Sequence, residues 1–161
     1  MAKILGIVAL VVFLVLPVLL VVAGQLGLLH GKRPTDLGLQ GGMLKPPVKN
    51  SWNVVSSYAL LQPHTDYHVI DPIRYSGDAK TAFDKLNGIV RGMAGVTVVT
   101  SNADYLYAEF QTPLLKFVDD VEFVLDQPAS VIQMRSASRL GRKDFDANRN
   151  RLEAIRASFN R

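Results

Sequence analysis

The run from Ile4 to Ala23 constrains this chain more than any other feature. It holds only Ile, Leu, Val, Phe and Ala apart from Gly6 and Pro17, and it carries no charge. A helix rises about 1.5 Å per residue, so about twenty such residues cross the roughly 30 Å hydrocarbon layer of a bilayer. Pro17 frees one backbone carbonyl, which a local kink or a neighbouring helix can satisfy. A signal peptide is the competing reading, with Lys3 as its charged start and Val21-Val22-Ala23 ahead of Gly24 as its cleavage site. The apolar run is longer than the usual signal-peptide core of about 7–15 residues, so a retained anchor over residues 1–29 is expected.

Beyond the anchor the chain is long enough for one domain with its own core, since about 130 of the 161 residues remain. There is no cysteine, which excludes disulfides, thiolate metal sites and a cysteine nucleophile. Charge is unevenly spread. Arg135 to Arg161 holds eight Arg or Lys against three Asp or Glu, whereas Pro34 to Met134 holds seven against eleven. An acidic middle and a basic end are suited to pairing within one fold. A nucleic-acid binder would interleave its basic stripe with aromatics, and the basic end has only Phe145 and Phe159.

Residues 30–63 read as an extended connector, rich in Gly and Pro and without sustained periodicity, although Trp52 and Val54-Val55 suggest that its second half packs on the domain. Residues 64–161 read as the domain itself. His68 to Tyr75 fits an edge strand, because Pro72 lacks the N–H a central strand needs. Asp78 caps an expected helix from Ala79 to Met93, whose apolar residues Ala82, Phe83, Leu86 and Val90 recur on one side. Four strands are expected at Val96–Thr100, Tyr105–Gln111, Phe117–Leu125 and Val131–Ser136, with turn chemistry between them. A closing helix is expected from Asp144 to Phe159, with Phe145, Leu152, Ile155 and Phe159 on its buried side.

Strand alternation separates two faces. Leu106, Ala108, Phe110, Val121, Phe123, Leu125, Ile132 and Met134 share one. Tyr105, Tyr107, Glu109, Asp120, Glu122, Gln133 and Arg135 share the other. The expected fold is α+β, a two-layer sandwich with a mostly antiparallel sheet of four to five strands, two helices on its apolar face and one N-terminal transmembrane helix. The polar face is left to meet water or a partner.

Three stretches together resemble the bacterial and plastid family known as domain of unknown function 1499. They are Phe117-Val118-Asp119-Asp120-Val121-Glu122-Phe123; Arg135-Ser136-Ala137-Ser138-Arg139 with Gly141 and Asp144; and Asn148-Arg149 with Arg151, Glu153 and Arg156. Weaker support comes from Asn53 to Ser57 and from His68 through Asp71-Pro72-Ile73-Arg74-Tyr75. The resemblance runs from Arg33 to the C-terminus and implies no reaction, because the family has none established. Where relatives carry a cysteine pair this chain has Val48 and Val54, so any disulfide or metal role of that pair cannot apply here. The resemblance and the apolar span imply a bacterial inner membrane, and the N-terminus ahead of the span is short. The domain is then expected on the periplasmic side, although the positive charges flanking the span are nearly balanced.

Two charged groups are candidate sites. Asp119, Asp120 and Glu122 could hold a divalent cation or serve as an acid/base pair, but alternation sends Asp119 to the opposite face. Arg135, Ser136, Ser138, Arg139 and Arg151 have the inventory of an anion site for a phosphate, a carboxylate or a lipid head group. Against both stands one structural reading, an internal ion-pair network of Asp119, Asp120 and Glu122 with Arg135 and Arg139. Asn148, on the apolar side of its helix, is expected to fasten that helix through its amide. Trp52, Tyr105 and Tyr107 are candidate partner-surface residues. His30, His64 and His68 lack metal-ligand spacing, and no phosphate loop or nucleophile elbow occurs, so neither metal nor cofactor is expected. The function expected is that of a non-enzymatic, membrane-anchored accessory subunit docked on a membrane-protein complex. A small anionic-ligand or lipid-head-group binding module is the alternative.

Overall fold

A computed structural model describes every residue from Met1 to Arg161. The N-terminal helix α1 (Ala2–Gln25) is continuous, long and apolar enough to cross a membrane, and the window of it that would do so is not buried by the rest of the chain. Its middle, Val11–Val15, widens into a π-helical turn just ahead of Pro17. The wider turn falls where a proline ring would otherwise press on the carbonyl four residues back.

The domain is built on an antiparallel sheet. Its strands are β1 (Val54–Ser56), β2 (Ile73–Arg74), β3 (Val96–Ser101), β4 (Tyr105–Gln111), β5 (Val118–Asp126) and β6 (Val131–Ser138). The order is β1-β6-β5-β4-β3, and β2 shares the outer edge of β6 with β1. Strands β3 to β6 form a meander. Helices α2 (Ala79–Arg91) and α3 (Ala147–Phe159) flank it in sequence and cover one face. Phe83, Leu86 and Val90 from α2, and Leu152, Ile155 and Phe159 from α3, bury against Leu106, Ala108, Phe110, Val121, Phe123, Leu125, Ile132 and Met134. Asp78 caps α2 by accepting from the Thr81 N–H at 2.7 Å. The α+β architecture with a mainly antiparallel sheet and helices on its apolar face is the one the alternation implies.

The polar face has a cover of its own. Residues 30–63 do not run free: they fold back over the sheet as a strap. Leu44 is fully buried. The Gly38 N–H donates to Glu122 Oε1 at 2.7 Å, and Arg135 Nε donates to the Lys45 carbonyl at 3.0 Å. Strand β1 lies within this segment and pairs with β6, Val55 opposite Ser136, so the boundary expected at residue 64 falls inside the folded unit. With helices on one side and strap on the other, β5 is buried along its length until Asp126.

Two other expectations are corrected. The edge strand expected over His68–Tyr75 shrinks to Ile73–Arg74, preceded by a 3₁₀ turn at Asp66–His68. The buried His68 ring fixes that turn, accepting from the Thr65 N–H at Nδ1 (3.0 Å) while Nε2 faces the Ser51 carbonyl (2.8 Å). The last helix begins at Ala147 rather than Asp144, and Phe145 is 80% exposed instead of packed. Phe145 and Asp146 both adopt left-handed backbone, φ 54° and 65°, which turns the phenyl ring outward before the helix starts.

Candidate functional site

Because β5 is covered on both sides, its three buried carboxylates, Asp119, Asp120 and Glu122, cannot face water, and each meets an arginine. Alternation divides them. On the strap side, Glu122 Oε2 accepts from Arg135 Nη1 at 3.1 Å, and Asp120 accepts from Arg139 Nη2 at 2.7 Å and Nε at 3.0 Å. On the helix side, Asp119 Oδ2 accepts from Arg151 Nη2 at 2.6 Å. Asp119 is thus joined to α3 and not to Arg135 or Arg139.

The strap-side cluster is larger than the sequence suggests. Glu109 lies directly across from Asp120 on β4. Two carboxylates so placed need a shared cation, and Arg139 bonds both. Arg33, from the strap, bonds Glu109 from outside at 2.5 Å. Burial pushes the Glu109 carboxyl up, but hydrogen bonds from Arg33 and Arg139 outweigh it and hold it down at about 2. Burial works against the Arg139 charge as well, and the hydrogen bonds to Asp120 and Glu109 more than reverse it, so its pKa is raised. The Tyr107 hydroxyl donates to Asp120 Oδ1 at 2.6 Å, and that of Tyr105 to Glu122 Oε1 at 2.9 Å. Burial first, and these carboxylates second, push both phenols far up. Tyr107 is buried and Tyr105 partly so, which corrects their expected place at a partner surface. Trp52 is 46% exposed.

Helix-side residues form a second cluster around Asn148, which is fully buried. Its Nδ2 donates to the Asn53 carbonyl (3.0 Å), Ser138 Oγ (2.9 Å) and Asp144 Oδ2 (2.7 Å), and its Oδ1 accepts from Ser136 Oγ and from Arg151 Nη1. One amide therefore fastens α3 to β6, to the residue before β1 and to the loop ahead of the helix. The Arg151 guanidinium also stacks 4.9 Å from the Phe110 ring.

Of the five residues expected to gather around an anion, Arg135 and Arg139 face the strap while Ser136 and Arg151 face the helices. Ser138 bonds Asn148. The five do not all converge, although Arg135, Ser138 and Arg139 line one pocket. A pocket of about 360 Å³ does open under the strap, with Arg135 and Arg139 in its wall and Lys32, Lys45, Lys49 and Arg142 around it. Asp120 is its sole carboxylate. Glu109, Arg33, Lys32, Lys45, Lys49 and Arg142 are the residues that sequence reasoning does not bring to this site. Alternation puts Glu109 on the correct face, but only the strand register pairs it with Asp120.

The C-terminal end of α1 is also fixed. Gly24 packs on the β4–β5 loop so closely that a β-carbon there would overlap the Leu115 carbonyl oxygen. Gln25 Nε2 donates to the Leu114 carbonyl at 3.0 Å.

These features define a class: an α+β domain with an apolar N-terminal helix, whose sheet carries a mutually neutralised charge cluster sealed by the chain's own N-terminal strap. The chain belongs to the family described as protein of unknown function DUF1499, whose family model matches residues 44–159. Comparison with curated proteins and with solved structures gave no match.

Proposed function

We propose that this chain is a non-catalytic accessory protein, retained in the bacterial inner membrane by α1, with its domain on the periplasmic side and docked on a membrane-protein partner. The observation that carries the reading is the joint between helix and domain. Gly24 and Gln25 are locked to the β4–β5 loop, so the domain is held at a set angle to a helix whose apolar sides are otherwise open. Gly6, with open space around it, gives another helix a point of close approach. The charged face is consistent with a structural role. Asp119, Asp120, Glu122 and Glu109 are each held by arginine, and Glu109 stays ionised at any physiological pH.

The test is mild detergent extraction of the tagged protein, followed by sizing and mass spectrometry. A stoichiometric complex containing the chain with Met1–Gly24 intact supports the proposal. A lone monomer, or a chain that begins after Ala23, refutes it.

The strap pocket favours the second reading, a module for a small anionic ligand. Arg135, Arg139 and Lys45 have carboxylate partners, but Lys32, Lys49 and Arg142 have none, so the pocket's rim carries an excess of positive charge. Under this reading inorganic phosphate raises the melting temperature of the wild type, and Lys49→Ala with Arg142→Ala abolishes the rise. No rise in the wild type rules it out.

A further inference from the structure

The joint between helix and domain fixes which end of the domain is nearest the bilayer. A helix of 24 residues is about 36 Å long, slightly more than the roughly 30 Å hydrocarbon layer. Gln25 therefore lies at head-group depth, and so does whatever is packed against it. Leu114 and Leu115 meet the helix end directly. A β-carbon on Gly31 would touch Arg139 and Leu140. Leu140 and Phe145 line one shallow cavity of about 260 Å³ with Phe117, from the same loop that holds Gly24. Trp52 is bridged to Lys143, whose ammonium stands 5.4 Å from the Phe145 ring. One end of the domain thus gathers Trp52, Leu114, Leu140 and Phe145, exposed by 46, 61, 42 and 80%.

Phe145 is the most informative of these. An aromatic residue in left-handed backbone is uncommon and costly, and the cost is normally met where burial repays it. Here burial of the ring does not repay it. Asp144 holds the turn rigidly, accepting from the Asp146 N–H at 3.1 Å and the Asn148 N–H at 2.9 Å. The ring is directed outward beside a lysine. Aromatic and apolar side chains flanked by cations are what the boundary of a bilayer selects.

We infer that this end of the domain rests on the membrane itself. Trp52, Leu114, Leu140 and Phe145 enter the interfacial layer, and Lys143 meets anionic lipid head groups. The inference depends on α1 being retained as an anchor. It adds that the domain lies against the lipid and does not stand away from it.

Trp52 is the only tryptophan in the chain, so its fluorescence reports on this surface alone. The full-length protein is reconstituted into phosphatidylcholine vesicles, with or without phosphatidylglycerol, whose acyl chains are brominated near the head group. The expected result is blue-shifted Trp52 emission quenched by the brominated lipid, more strongly with phosphatidylglycerol and less so in high salt. Phe145→Asp and Lys143→Glu are each expected to lose at least half of that quenching while the far-ultraviolet dichroism is unchanged. Emission indifferent to bromination, from protein that stays with carbonate-washed vesicles, overturns the inference and leaves the anchor intact. Protein washed off the vesicles overturns the anchored reading and this inference with it.

Discussion

Glu109 offers a quantitative test of the sealed charge cluster. Its side chain is 15% exposed and is bonded by both Arg33 and Arg139. Its pKa is lowered from 4.5 to about 2. At ~1.4 kcal/mol for each pH unit of that gap, the clamped carboxylate contributes ~3 kcal/mol to folding. The folded state has the lower pKa, so this contribution is complete above about pH 4.5 and is lost as the pH falls toward 2. Glu109→Gln removes the charge and keeps the shape. Urea unfolding of both proteins in detergent micelles, followed by Trp52 fluorescence, is expected to show the variant less stable by ~3 kcal/mol at neutral pH. The gap should narrow to ~1.4 kcal/mol near pH 3 and nearly close near pH 2. A difference that stays constant across that range would refute the assignment of the stabilisation to an arginine-clamped carboxylate.

Three further substitutions probe the other joints. Arg139→Ala leaves Asp120 and Glu109 without their shared cation and is expected to cost about 3–5 kcal/mol in the same unfolding assay. Asn148→Ala strips partners from Ser136, Ser138 and Arg151 and from the Asn53 carbonyl; a loss of about 2–4 kcal/mol is expected, read from the melting temperature. Gly24→Leu should still insert in membranes, because the helix stays apolar, but it cannot sit on Leu115. Limited proteolysis should then cut between Gln25 and Gly31 faster than in the wild type, and an unchanged rate would argue against the joint.

Periodicity makes most of the domain legible in advance. Strand β4 runs from Tyr105 to Gln111 as the sequence suggests, because its side chains alternate cleanly and turn residues bound it. The assignment of Glu109, Asp120, Glu122 and Arg135 to one face rests on the same alternation. Partnership is another matter. Asp119 and Asp120 are adjacent in sequence but bond arginines on opposite sides of the sheet, and Arg151 becomes the partner of Asp119 only once α3 is seated. Phe145 departs from expectation for a local reason: its spacing fits the apolar stripe of α3, but Asp144 binds the N–H groups of Asp146 and Asn148 and starts the helix late. The strap is the least legible part. Its Gly and Pro residues have the composition of a linker, and what orders it is a set of distant partners: Arg33 with Glu109, Gly38 with Glu122, Lys45 with Arg135.

Those partners lie 76, 84 and 90 residues apart, which sets an order of events during synthesis. The strap leaves the ribosome before the strands that it covers. Closure therefore needs the meander as its template. A loop of that length closes slowly if both ends are free. Here the end of α1 docks beside the sheet at Leu114 and Leu115, so the search is confined to a small volume and the effective concentration of the strap is high. Severing the helix from the domain would then slow the acquisition of the native state more than it weakens that state.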